Sequence, residues 1–256
     1  MSEIAYRPRT IAEVVDASIQ LFRRTYRELI AITAIGYVPW IAASTLLERV
    51  WNAPGSADSD ALLAPVGSLV LTALGGIWFA VVSAGCIAVA SDAYLGDEPT
   101  TGGAIRRALS RGWPIIATSV VTWCLAALGL LLLIVPGFYF FARFTLSPAV
   151  ALLERRPIGE SLSRASDLSR DRKLHIIGAL GAAWLIYLAI ALTVGLLVGV
   201  TGQMALAPMA EAIISIGISP LIAVVTAVLY YDLRIRAEGF DVELLERQLQ
   251  TASGPE

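Results

Sequence analysis

The sequence predicts an all-α, polytopic membrane helical bundle: about six transmembrane helices plus three amphipathic interfacial helices on the cytoplasmic side, in a pseudo-threefold repeat. Three observations predict it. Hydrophobic residues make up 57% of the 256 and charged residues only 16%, with a mean hydropathy of +0.71, whereas a soluble domain carries about 25% charge. The charges are bunched between apolar runs of about 20 residues, the length that crosses a bilayer. Finally, a proline (Pro8, Pro99, Pro157) is three times followed by an amphipathic helix with arginines and then by two apolar spans. Spans this apolar must satisfy their backbone polar groups internally, so they are helices.

The first amphipathic helix opens at Thr10-Ile11-Ala12-Glu13, a capping box in which threonine and glutamate each take the other's backbone amide. Ile11, Val14, Val15, Ile19 and Phe22 share one face, with Asp16, Arg23 and Arg24 away from it. The helix is too short and polar to span; it lies in the interface or packs across the mouth of the bundle. The first span follows at 29–47, then a polar loop with Asn52-Ala53-Pro54-Gly55. Residues 61–95 are apolar for longer than one membrane thickness, so this second span is either tilted or continues into the interface near Asp92.

Gly96-Asp97-Glu98-Pro99 breaks the pattern before a second amphipathic piece, 101–111, with Arg106, Arg107 and Arg111. The third span covers 113–135 and ends in Pro136-Gly137, a turn signal; the fourth returns over 138–153. Beyond Glu154-Arg155-Arg156-Pro157, a third amphipathic helix covers 158–173. The fifth span is 175–200, Thr201-Gly202-Gln203 turns the chain, and 207–231 is the sixth. These elements form a single integral membrane domain over 1–241, with units 8–95, 99–153 and 157–233 and a cytoplasmic tail at 242–256.

Two spans per unit put all three amphipathic helices on one face. Of the 19 Lys and Arg, all but Arg49 and Arg143 fall on that face, 17 in number, and by the positive-inside rule this makes it cytoplasmic with both termini inside. Met1 to Arg9 carries no apolar stretch of the kind a cleavable signal peptide needs, so the first span is expected to direct insertion. In the run Tyr230-Tyr231-Asp232-Leu233-Arg234-Ile235-Arg236 the tyrosines stand where an aromatic belt would mark headgroup level, with Arg234 and Arg236 as the basic flank.

Few residues carry chemistry. Net charge is −2, which offers no basic surface to nucleic acid. Cys86 and Cys124 lie in apolar runs as small core residues, and His175 is the only histidine. No Ser-His-Asp set, phosphate-binding loop, CxxC or HExxH occurs, so the expectation is no enzyme, no metal and no cofactor. The candidate intramembrane polar or partner-contact residues are Arg143, Glu211, Asp232 and Arg234. A charge within a span faces the bundle interior and finds a partner, and Glu211 is the one carboxylate in reach for Arg143. Pro148 and Pro220 lie inside spans four and six, where each removes a helical hydrogen bond. Gly195 and Gly199 form a GxxxG suited to close helix packing.

The run from Leu229 to Asp241, together with Arg7-Pro8-Arg9-Thr10-Ile11-Ala12-Glu13-Val14-Val15-Asp16 and Val135-Pro136-Gly137-Phe138-Tyr139 followed by Arg143 and Glu154, resembles the glycerophosphoryl diester phosphodiesterase membrane-domain family. The resemblance runs in order along essentially the whole chain. It implies a bacterial multi-pass membrane domain, joined in some members to a phosphodiesterase domain and standing alone in others; the residues of the catalytic barrel have no counterpart here. The expected function is a non-catalytic inner-membrane scaffold or accessory subunit that binds membrane lipids, a membrane-protein partner or a second copy of itself. The alternative is a small transporter or lipid-handling channel.

Overall fold

The computed structural model describes residues 9–51, 63–202 and 206–238. The expectations attached to Arg7 and Pro8, the 52–60 loop, Gln203 and the chain beyond Glu238 lie outside the described residues. Within them the chain is helical throughout, with no strand and eleven helices: α1 (Ile11–Arg24), α2 (Tyr26–Trp51), α3 (Leu63–Leu95), α4 (Thr101–Ser110), α5 (Gly112–Leu132), α6 (Ile134–Phe144), α7 (Ser147–Leu153), α8 (Ile158–Leu168), α9 (Lys173–Thr201), α10 (Ala207–Gly217) and α11 (Pro220–Glu238). Six stretches are long and apolar enough to cross a membrane: Tyr26–Leu47, Val66–Leu95, Gly112–Leu132, Ile134–Leu153, Lys173–Thr201 and Met209–Glu238. This is a multi-pass membrane protein of six candidate spans.

The amphipathic helices pack on the bundle. In α1, the Thr10 side chain accepts from the Glu13 amide at 3.3 Å while Glu13 accepts from the Thr10 amide at 2.8 Å. The helix buries Val14, Ser18 and Leu21 and lies against α11, α9 and α3. Similarly, α4 buries Ala104 and Ala108, and α8 buries Ser161, Ala165 and Leu168. Small residues on these inner faces let each helix sit close to the span ends beneath it.

The core is built on α11 and the second half of α3. Leu221 through Leu233 are buried apart from Ile222, against an α3 face rich in alanine: Ala84, Ala88, Ala90 and Ala93. Within a bilayer the apolar effect gives no drive for helix to pack on helix, so small residues that permit close backbone approach take over that part. This placement corrects the aromatic-belt expectation. Tyr230 and Tyr231 are only 1% and 3% exposed, and their hydroxyls find partners inside the protein, as described below.

Spans four and six are each two helices with a break. Pro148 stands in the first turn of α7 and Pro220 opens α11. A proline has no N–H, so the carbonyls four residues back, Phe144 and Ile216, lose their helical donors. A threonine on a neighbouring span supplies each: Thr122 Oγ1 stands 3.1 Å from the Phe144 oxygen and Thr33 Oγ1 stands 2.9 Å from that of Ile216. Both hydroxyls also reach carbonyls of their own helix, Thr118 in one case and Leu29 and Ile30 in the other, so a single proton is shared among these acceptors.

The turn between spans three and four falls at Leu133, whose extended backbone (φ −165°, ψ 152°) separates α5 from α6. Pro136 and Gly137 lie one step later, in the first turn of α6, where the missing proline N–H costs nothing. Gly137 serves a close contact: a Cβ on Gly129 would lie 2.7 Å from the Gly137 Cα and 2.8 Å from its nitrogen. The hairpin closes backbone against backbone at these two glycines.

Candidate functional site

Among the described residues, most of the paired charged groups gather on the face that carries α1, α4 and α8, around the end of α11. Asp232, 1% exposed, accepts from the Arg9 backbone N–H at 2.7 Å and from Arg236 Nε at 2.8 Å. The Arg236 guanidinium donates in turn to the Arg9 carbonyl, so the two residues grip the start of α1 from both sides. His175 Nε2, in the first turn of α9, lies 3.2 Å from the same carboxylate. It is out of line for a hydrogen bond and stays buried without one.

One turn away, Glu154 caps α7 and accepts from Arg156 Nε at 2.6 Å, Arg164 Nε at 3.1 Å and the Tyr230 hydroxyl at 3.0 Å. Burial pushes its carboxyl pKa up, but the bonds from Arg156 and Arg164 outweigh burial and hold it below the usual carboxylate value of 4.5. Burial likewise works against the Arg164 charge, and the bonds it donates to Glu238 and Glu154 overcome it, so the guanidinium is held more firmly protonated than usual. Arg164 also pairs with Glu238, which accepts from Arg234 Nε at 3.1 Å. Arg234 lies over the Tyr230 ring at 5.8 Å. The expected basic flank is thus an interlocked set of ion pairs.

A third carboxylate, Asp92 near the end of α3, pairs with Arg107 of α4 at 2.7 Å. Beside it, Ser91 and the Tyr231 hydroxyl share a hydrogen bond at 2.6 Å, and Tyr94 stacks on Tyr231 with centroids 4.6 Å apart. The end of α3 therefore reaches the charged face. The three carboxylates share one role. Each stands near the end of an even-numbered span and holds the amphipathic helix of the next unit: Asp92 holds α4, Glu154 holds α8, and Asp232 holds the start of α1. The repeat closes on itself in a ring.

Arg143 and Glu211 are not brought together. Arg143 Nε donates to Ser166 Oγ of α8 at 2.9 Å, its guanidinium lies 5.2 Å from the centroid of Phe144, and Ser169 Oγ donates to its carbonyl at 3.2 Å. The third amphipathic helix is its partner because α8 packs on α6 and presents serines there. Glu211 instead lines a cleft of about 310 Å³ between α9 and α10, with Tyr187, Gly195 and Gly199. Sequence reasoning singled out Asp232, Arg234, Arg143 and Glu211 but passed over Asp92, Glu154 and Tyr230. Their signal was positional: an acidic residue at the end of each even-numbered span, before the next amphipathic helix.

Among the described residues, no three His, Cys, Asp or Glu side chains are grouped to hold a metal ion. Both cysteines are free thiols; Cys86 is a buried core residue as expected, whereas Cys124 is exposed on α5 and is not. Comparison with family models, with curated proteins and with solved structures gives no match to this chain.

Proposed function

We propose that this chain is a non-catalytic module of the bacterial inner membrane, a scaffold or accessory subunit whose fifth span is the contact helix for a membrane-protein partner. The charged face is the cytoplasmic one in this reading, in line with the 17 of 19 basic residues that the sequence pattern assigns to that side. The resemblance to the glycerophosphoryl diester phosphodiesterase membrane domains supports the same setting, and the activity of the separate domain that some of them carry is not part of the reading.

The observation that carries the reading is the exposure of α9. In its most apolar stretch only 6% is buried, against 28–56% in the other five spans. It packs through Ile176, Ala179, Leu180 and Ala183 near its start, and beyond them Leu185, Leu192, Leu196 and Leu197 face outward. Gly195 and Gly199 have open space where a side chain would be, which lets a foreign helix approach at backbone distance. A helix that adds so little to its own bundle is available to another.

A small transporter is the second reading, favoured by the breaks in spans four and six, since broken helices line substrate sites in transporters. Against it, the carbonyls freed at those breaks already have threonine partners, which leaves fewer groups to hold a solute.

Photo-crosslinking in native membranes separates the two. A crosslinker at Leu192 is expected to trap one stoichiometric protein, and one at Leu131 of α5, which is still more exposed, is not. Adducts with lipid alone from both positions would remove the partner reading.

A further inference from the structure

A second groove runs along the outside of the bundle between α2 and α10, with a volume of about 460 Å³. On α2 it is lined by Val38, Ile41, Ala42, Thr45, Leu46 and Arg49, and on α10 by Ala212. The α2 residues are spaced at three and four positions, so they form one stripe along the helix. From Val38 to Arg49 is 11 residues, about 16 Å at 1.5 Å per residue. Half of a 30 Å hydrocarbon core is about 15 Å. The groove is thus about as long as one leaflet is thick, and it lies toward the end of α2 away from the charged face, which α2 leaves at Tyr26.

Its floor and walls are apolar apart from Thr45, whose hydroxyl already donates to the Ile41 carbonyl at 2.7 Å. Arg49 stands at the open end, in the last turn of α2, and no described residue pairs with it. A cation at the end of a span lies at headgroup level, where a guanidinium matches a phosphate in a two-pronged geometry that a point charge does not give.

From this we infer that the α2/α10 groove is a phospholipid site: one acyl chain lies along Val38, Ala42 and Thr45, and the lipid phosphate pairs with Arg49. The charge and depth select this occupant. An apolar partner helix offers no anion to the guanidinium, while a phospholipid places its single anionic group one leaflet above the end of its chain. The inference rests on the membrane placement of α2 and α10 and is independent of the role given to α9.

The test is native mass spectrometry of the full chain released from detergent, titrated with phosphatidylethanolamine, with its single-chain lyso form, and with phosphoethanolamine carrying no chain. Wild type is expected to hold one phosphatidylethanolamine. Arg49→Gln should weaken retention by about tenfold, the loss of about 1.4 kcal/mol, while Arg49→Lys restores part of it. Ala42→Trp should also lose the lipid by filling the groove without touching Arg49, and Arg24→Gln on the charged face should change nothing. The detergent melting temperature of each variant verifies that it is folded. Wild-type retention by both Arg49→Gln and Ala42→Trp would overturn the site, as would phosphoethanolamine binding as tightly as the full lipid. A dimer mass abolished by Ala42→Trp would assign the groove to a second copy and overturn it too.

Discussion

The hydroxyl of Thr33 stands 2.9 Å from the carbonyl oxygen of Ile216, the acceptor that Pro220 leaves without a helical donor. The relationship recurs at Thr122 and Phe144, opposite Pro148. In both cases the proline is tolerated inside a membrane span because a hydroxyl on an adjacent span re-satisfies the freed group, there being no water at that depth to do so.

Thr33→Val and Thr122→Val keep the shape of the side chain and delete the donor. Each is expected to lower stability by about 0.6–1.7 kcal/mol, the range of interhelical hydrogen bonds in membranes. The two losses should add, since the sites share no partner. Unfolding in a titration of denaturing detergent reads both effects.

Asp232→Asn should cost more, about 2–3 kcal/mol, because it weakens a charge-assisted bond to a backbone amide and leaves the Arg236 guanidinium without its counter-charge. The change should show first as proteolytic release of α1, since Asp232 and Arg236 hold its start at Arg9. Leu185→Asn, on the exposed part of α9, should leave α1 protected.

For Glu154 the prediction concerns pH. Its carboxyl is held below 4.5 in the folded protein, so the unfolded chain binds the proton more readily. The stability it contributes is then fully present above about 4.5 and is lost as the pH falls through the lower folded value. At neutral pH Glu154→Gln is expected to be less stable than wild type by about 1–3 kcal/mol. That difference should shrink steadily as melting is repeated well below pH 4.5, and a constant difference would contradict the assignment.

Glycine substitutions test the packing. Gly129→Ala forces a Cβ to 2.7 Å from the backbone of Gly137, where no flexible side chain can yield. The α5–α6 hairpin must splay, at a cost of about 1–3 kcal/mol for overpacking. Gly181→Ala on α9 meets nothing within 4 Å and should leave the melting temperature unchanged.

Spans, amphipathic helices and the two helix breaks were legible because they rest on local pattern: about 20 apolar residues, an arginine-bearing face, a proline within a run. Local chemistry also gave the capping box of Thr10 and Glu13. Partner choice was not legible in the same way. Arg143 was matched to Glu211 as the nearest intramembrane carboxylate by composition, but the helix packing brings Ser166 to it instead. The same limit applies to Tyr230 and Tyr231. An aromatic pair next to arginines has one meaning at a lipid surface and another in a core, and only the central position of α11 decides between them. Asp92 and Glu154 looked like ordinary interfacial charges until the repeat was seen to close.

That closure sets a schedule for biosynthesis. The Arg9 amide and its acceptor Asp232 are 223 positions apart, so at about 5–20 residues per second roughly 10–45 s of translation separate them. Through that interval the first helix has emerged and its clasp has not. Whatever shields α1 in the meantime, lipid surface or insertion machinery, must release it when the last span arrives. A ribosome that stops before Asp232 therefore leaves the start of the opening helix without the carboxylate and guanidinium that hold it in the finished protein.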